Sequence, residues 1–407
     1  MNCRHCKQQL VHEFLNLGYA PPSNSYLSIE DLNKPELTYP LRLFVCSNCW
    51  LVQIEDYTSA EELFDNDYAY FSSVSKDWLA HAKSYVEKII PKIGLTNDSY
   101  VIEIAANDGY LLKNFVELKI PCLGIEPTAN TAEAAEKQGI AILRDFFSKT
   151  LATQLQKESK QADLIIGNNV YAHVPDLNNF TAGLKILLKE RGTITLEFPH
   201  LMQLLKNTQF DTVYHEHFSY LSLYTVIRIF SVAELRVWHV EELDTHGGSL
   251  RIYGCHENDS RQSTPIVAEI LAEEELQGMR NLKLYSFFQE RADRIKNALL
   301  KFLIEQKDKG KKVVAYGAAA KGNTILNYAG VKSDLLPRVY DAAQSKQEKF
   351  LPGSHIPILN PDEIEKDSPD YILILPWNIS KEIMGKLKQV KEWNCQFVTA
   401  IPEIEII

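Results

Sequence analysis

Four of the seven cysteines stand in two close pairs, Cys3 with Cys6 and Cys46 with Cys49. Each Cys-x-x-Cys pair sets two sulfurs on one tight turn, and two such turns facing each other converge four thiolates on a tetrahedral Zn²⁺. The expected zinc is structural, because a small module short of apolar surface draws its fold from the metal. Free cysteines paired by chance are the alternative. His5 lies inside the first pair as a bystander. Cys122, Cys255 and Cys395 are isolated in apolar or strand-like surroundings, where small buried thiols are common, and carry no assigned chemistry.

A second group of residues sits at strand ends. The apolar run 100–104 contains Glu103 and leads into the turn Ala105-Ala-Asn-Asp-Gly109; the run 122–125 ends at Glu126. In an open parallel sheet ligands bind at the carboxyl ends of the strands, and an acid closing the second strand is placed to accept hydrogen bonds from both hydroxyls of a ribose. Gly109 is expected to permit a close approach of ligand to backbone. A dinucleotide would call for Gly-x-Gly-x-x-Gly here, to lay a pyrophosphate on the helix N-terminus. One glycine with polar Asn107 and Asp108 instead suits a ribose bearing a charged amino-acid tail, which describes S-adenosylmethionine. A turn with capping acids and no ligand is the alternative. Asn168, ending the run 162–167, and the pair Asp145 and Phe146, ending a shorter one, complete the expected donor site, the last two against adenine.

Taken together, several segments resemble the nucleotide-sugar C-methyltransferase family. They are the two cysteine pairs; Tyr68-Ala-Tyr-Phe-Ser-Ser-Val-Ser75 with Trp78 and His81; residues 103–112 and 124–127; Asn169-Val-Tyr-Ala-His-Val-Pro-Asp176; Tyr214-His-Glu-His-Phe-Ser-Tyr-Leu-Ser222; and Gly317-Ala-Ala-Ala-Lys-Gly-Asn-Thr324. The resemblance implies methylation at carbon 3 of a nucleotide-linked 4-keto-deoxysugar, with His217 as the base and Tyr214, Glu216 and His173 assisting. Such a proton is removable because the neighbouring carbonyl takes up the charge as an enolate; a histidine accepts it near neutral pH, and a phenol or second imidazole donates to the oxyanion. Glu216 suits the fixing of an imidazole tautomer. For His173 alone, a packing histidine ahead of Val174-Pro175 is the plainer reading. His215 and His217 as zinc ligands would lack a third close ligand and the His-Glu-x-x-His spacing. Tyr68 borders the donor, or with Tyr70 forms interdomain core. Residues 244–251, with paired glycines, form a substrate loop or a plain hairpin turn.

The elements that must position these groups read as α/β. An N-terminal zinc-binding module spans 1–75; a central Rossmann-like class I methyltransferase domain spans 76–262, with further strands at 162–167 and 192–198. One amphipathic linking helix is expected over 263–310, and a second Rossmann-like α/β domain over 311–407. In that last unit the strand 313–316, the glycine loop 317–322 with Lys321, and a helix from Asn323 are expected to hold the phosphates of a nucleoside diphosphate. Asp341 ends the next strand, and a degenerate domain without ligand is the alternative. After Asp341 the chain reads Ala-Ala-Gln-Ser-Lys-Gln-Glu-Lys349, where relatives usually carry Asn-Pro and a glycine.

The 407 residues are 45% hydrophobic with a net charge of −10, enough for several cores and without the basic stripe that nucleic acid requires. No apolar run of membrane-spanning length occurs, so the expected setting is the cytoplasm. The sequence leaves open the nucleotide, the sugar and the oligomeric state. Methyl transfer to sugar oxygen or nitrogen, or a catalytically inactive zinc-knuckle binding protein, are the competing readings.

Overall fold

The computed structural model describes residues 1–57 and 71–407. Strands His12–Ala20, Tyr39–Val45 and Val52–Ile54 form an antiparallel sheet. Leu41, Leu43 and Val45 alternate inward, the period-two pattern of a half-buried strand. A fourth strand, Ser219–Tyr220, joins from the middle of the chain, with Val52 opposite Tyr220 and Gln53 opposite Ser219. The N-terminal module is therefore completed by the residues that follow His217, which the domain division drawn from sequence did not anticipate.

The central sheet has seven strands, in the order Leu235–Leu243, Ser249–His256, Leu188–Pro199, Ala162–Asn168, Val101–Ile104, Cys122–Ile125, Ile142–Leu143. The last five run parallel, and Ser249–His256 pairs antiparallel with Leu188–Pro199. Val101, Ile102 and Ile104, like Leu164, Ile165 and Ile166, are buried, the continuous apolar character of strands covered on both faces. Helix Lys76–Ile93 starts where the Ser75 side chain accepts from Trp78 N and stops at Gly94, whose φ of 70° is left-handed.

The expected single linking helix is in fact two, Pro265–Leu276 and Phe288–Asp308, with the short turn Leu282–Tyr285 between them. Gly278, at φ +78°, ends the first. The amphipathic pattern continues across the break because both helices bury apolar residues, which is why periodicity alone missed it. Ala292, Ile295, Leu299 and Leu303 of the longer helix share one core with the N-terminal sheet and with Ile325 and Leu326 of the C-terminal unit.

That unit has a six-stranded sheet in the order Ile358–Leu359, Val339–Tyr340, Val313–Tyr316, Tyr371–Ile374, Gln396–Thr399, Glu405–Ile406, parallel except for the last. No helix among the described residues is long and apolar enough to cross a membrane.

Candidate active site and metal centre

The two cysteine turns face each other. Cys3 Sγ lies 3.4 Å from Cys49 Sγ and Cys6 Sγ 3.5 Å from Cys46 Sγ, and all four sulfurs fall within 4.8 Å of one another. A tetrahedron with Zn–S bonds of about 2.3 Å has S···S edges of about 3.8 Å, so the donor set and its size fit zinc. Cys3, Cys46 and Cys49 are fully buried among Leu10, Leu51, Leu221 and Leu223, with Cys6 half-buried beside them, and four thiolates would fill the tetrahedral shell of a structural zinc.

At the C-terminal ends of the central strands Glu126, Glu103 and the turn 105–109 meet. Glu126 accepts from Asn107 N (2.8 Å) through one oxygen and from Thr128 N (3.0 Å) through the other; a carboxylate keeps further lone pairs for a ligand. Glu103 is buried, and neither of its oxygens makes a hydrogen bond of normal geometry. Burial, with the charges of Glu126 and Asp108, pushes its carboxyl well above the usual range, the Tyr110 hydroxyl pulling the other way. Asp108 Oδ1 and Asn168 Oδ1 are likewise buried without partners, while Asn168 Nδ2 lies 3.5 Å from Tyr110 Oη. Buried polar atoms left unpaired cost stability. Several of them around a strand-end acid fit a ligand rich in hydroxyls and positive charge, as S-adenosylmethionine is.

Asn107 and Asp108 also hold the segment that precedes the domain's first helix: Asn107 Oδ1 accepts from Ser72 N (2.9 Å) and Asp108 Oδ2 from Ser73 N (3.0 Å). Gly109 has a φ of +77°, the left-handed region that favours glycine, and a Cβ there would also come within 2.3 Å of Ile140 Cδ1 and 3.1 Å of Ala135 Cβ. Asp145 is exposed, with Oδ1 accepting from Phe146 N, at the end of the strand beside Cys122–Ile125. Tyr68 and Tyr70 lie outside the described residues.

The segment 210–217 brings the histidines together. His217 Nδ1 lies 2.9 Å from Thr212 O, which fixes the proton on Nδ1 and leaves Nε2 as the lone-pair nitrogen, 2.7 Å from Tyr214 Oη. His173 packs edge-on against His217, with ring centroids 4.6 Å apart. Burial lowers both: His173 to about 4, and His217 well below its ordinary value, with His173 adding to the effect. His215 turns away, to Pro40 O (3.3 Å) and the Tyr39 ring, so the two histidines do not form a metal pair. Glu216 does not meet the imidazole whose tautomer it was expected to fix. It accepts from Asn24 Nδ2 of the N-terminal module, and burial raises its carboxyl to about 7. The carbonyl of Thr212 takes the orienting role because side chains on successive residues of this loop point to different sides.

Beside them a buried carboxylate that sequence reasoning missed, Glu197, gathers His81 and residues of the loop 244–251. Glu197, fully buried in a central strand, accepts from Arg251 Nη2 (2.6 Å) and Thr245 Oγ1 (2.9 Å) and lies 2.9 Å from His81 Nε2. Burial would raise its carboxyl, but His81 and Arg251 hold it down to about 2. His246, at φ 53°, takes Asn169 Nδ2 at 2.9 Å on its Nε2 and packs against Trp78. The signal was present: a carboxylate inside an otherwise apolar strand needs a buried partner.

The C-terminal candidates separate. Lys321 Nζ donates to Asn378 Oδ1 (2.6 Å) and lies 4.8 Å from the centre of the Trp377 ring; burial lowers its pKa, opposed by Asp211. Its charge also acts on His217 and His246, which puts it at the edge of the histidine cluster. The helix begins at Ala320 and runs to Ala329 rather than starting at Asn323, so Lys321 and Asn323 both stand in its first turn; Asn323 is fully buried, and its Nδ2 donates to Ser23 O (2.6 Å) of the N-terminal module rather than facing a ligand. Asp341 accepts from Ala318 N (2.6 Å) and Ala343 N (2.8 Å) and braces the glycine loop.

Comparison with known proteins gives the chain's family. Residues 3–64 match a family described as a zinc binding domain, 78–240 one described as a methyltransferase domain, and 244–402 one described as a C-methyltransferase C-terminal domain. The chain is 33% identical over 405 residues to the C-methyltransferase NovU of Streptomyces niveus, covering 100% of this chain and 96% of that protein. A SAM-dependent methyltransferase of Anabaena variabilis covers 44% of this chain and 86% of its own, at 17% identity and a TM-score of 0.36. A protein of Pyrococcus horikoshii covers 46% and 95%, at 13% identity and a TM-score of 0.38.

Proposed function

This chain belongs to the C-methyltransferase family and takes its methyl group from S-adenosylmethionine, and from that premise we propose that it methylates carbon 3 of a nucleotide-linked 4-keto-deoxyhexose through an enolate. The setting is the biosynthesis of branched-chain sugars in the cytoplasm. Bound S-adenosylmethionine supplies an electrophilic methyl on a sulfonium. Glu126 would take its ribose, with Glu103, Asp108 and Asn168 around its charged end and Asp145 and Phe146 by the adenine.

The observation that carries the reading is the pair Tyr214 and His217. A lone-pair nitrogen and a phenol 2.7 Å apart match a C–H and the oxygen of the carbonyl next to it. Substrate entering between them takes the phenol from Nε2: His217 then accepts the carbon 3 proton, and the Tyr214 O–H is released to donate to the oxygen where charge develops. Nδ1–H stays on Thr212 O, which holds the ring orientation throughout. Because burial keeps His217 neutral, the base is in its active form at pH 7 and the acid limb of kcat/KM falls below 6.5. Lys321, beside Trp377 at the edge of the cluster, is the residue best suited to the substrate's phosphates.

The test is transfer of a ¹³C-methyl from the donor to a nucleoside-diphosphate 4-keto-6-deoxyhexose, followed by carbon-correlated NMR. A new methyl on carbon 3 supports the reading; a methyl on any other carbon, such as carbon 5 on the far side of the carbonyl, or on oxygen or nitrogen overturns it.

A further inference from the structure

Arg4 stands between two zinc-ligand positions, Cys3 and Cys6, yet its side chain is buried, with 8% of its surface exposed. Its guanidinium has five N–H donors, and all five find acceptors. Nε donates to Phe218 O (3.3 Å); Nη1 to Pro175 O (3.1 Å) and Asp56 Oδ2 (2.9 Å); Nη2 to Ile54 O (3.1 Å) and Asp56 Oδ1. The plane also lies 5.0 Å from the centre of the Phe218 ring.

Two of those carbonyls matter for chemistry. Phe218 follows His217 directly, and Pro175 lies two residues after His173. A single rigid fork therefore ties together the two segments that bring the histidine rings edge to face. The fork is itself anchored to the metal turn: Arg4 N donates to Gln53 Oε1 (2.9 Å), and Gln53 Nε2 donates to Cys3 Sγ (3.4 Å). A second clasp repeats the link one residue on, where Asn178 Nδ2 donates to His5 O (2.9 Å) and Asn178 Oδ1 meets His5 Nδ1 (2.8 Å).

We infer that Arg4 is a positioning residue for methyl transfer: it couples the metal-folded turn to the spacing of His173 and His217, so the zinc site governs the geometry of the reacting centre as well as the N-terminal fold. The inference rests on His217 being the base. A lysine cannot replace the fork, since its three donors radiate from one point and cannot span carbonyls on separate segments.

The experiment uses the full-length, zinc-loaded protein with Arg4→Met, Arg4→Lys and His217→Asn, reading zinc content, donor stoichiometry, and kcat and KM for the 4-keto sugar. A displaced base costs about 100-fold in rate. Arg4→Met is therefore expected to keep one zinc and one donor per chain, lose about 100-fold in kcat, and change KM less than about threefold. Arg4→Lys, with charge but no fork, should lose about 10-fold in kcat. A merely structural role would lower donor stoichiometry and leave kcat per bound donor unchanged, which overturns the inference, as does Arg4→Met with full kcat. Where Arg4→Met fails to hold zinc, Arg4→Lys decides by the same criteria. If His217→Asn stays active, the base assignment falls and the inference with it; if His217→Asn is dead while Arg4→Met is active, only the inference falls.

Discussion

The two Rossmann-like units use the same device at the same place and surround it differently. In the central unit Glu126, at the end of the second strand, accepts from Asn107 N in the turn after the first strand and from Thr128 N two residues on. In the C-terminal unit Asp341 accepts from Ala318 N and Ala343 N in the same pattern. Around Glu126, the oxygens of Glu103 and one each of Asp108 and Asn168 are buried without hydrogen bonds of normal geometry among the described residues. Around Asp341, Lys346 Nζ and Tyr26 Oη both donate to Ala318 O, at 2.8 and 2.5 Å, and Asn323 is tied to Ser23. Topology alone does not make a ligand site. The central unit leaves buried polar groups unpaired beside its strand-end acid, whereas the C-terminal loop is closed by its neighbours and is followed by Lys321, which lies beside Trp377 at the edge of the histidine cluster.

The largest expected effect lies outside both units. A structural zinc is worth on the order of 10 kcal/mol, so Cys46→Ser, or chelation, should unfold the N-terminal sheet. Because Ser219–Tyr220 is one of its strands, activity should vanish while donor binding to the central unit survives; amide exchange and donor titration measure the two separately. Next, Glu126→Gln weakens a charge-assisted hydrogen bond worth about 2 kcal/mol, and donor affinity should fall about 30-fold in calorimetry.

Glu103→Gln sharpens the contrast through pH. A carboxyl raised in the folded state keeps a proton that the unfolded chain releases, so its contribution is complete below the ordinary value of 4.5 and is lost as pH rises toward the raised value. The variant should lose this decline and be the more stable protein at pH 7 by thermal melting, while binding the donor less well. In the wild type, the cationic donor should release a proton from Glu103, visible as a dependence of binding enthalpy on buffer. The smallest effect is Asp341→Asn, expected to cost about 1 kcal/mol and to leave donor affinity within twofold. A large loss of sugar binding in that variant would break the comparison and make the C-terminal loop a second ligand site.

Much of the fold was legible because its signals are local: two cysteine turns, apolar strands ending in Glu126 and Asp341, and a lone glycine in a turn. What the local signal did not give is how tightly that glycine packs against Ile140 and Ala135, residues further along the chain. The histidine motif was legible only through resemblance, and its internal wiring was not. That Thr212 and not Glu216 orients His217 depends on which way a loop turns, and that Asn24 meets Glu216 depends on packing between segments far apart in sequence. The fourth strand of the N-terminal sheet and the fork of Arg4 are long-range in the same way. The break at Gly278 was open to reading, because a glycine in an amphipathic pattern is a candidate helix end.

The central claim, that the histidine cluster removes a proton from carbon, is tested most directly by solvent exchange. The 4-keto sugar nucleotide is incubated in deuterium oxide with wild type or His217→Asn, with donor absent, and the carbon 3 proton followed by NMR. Wild type should wash deuterium into carbon 3 and His217→Asn should not, with donor affinity equal in both. Exchange that persists at the wild-type rate in His217→Asn would contradict the account.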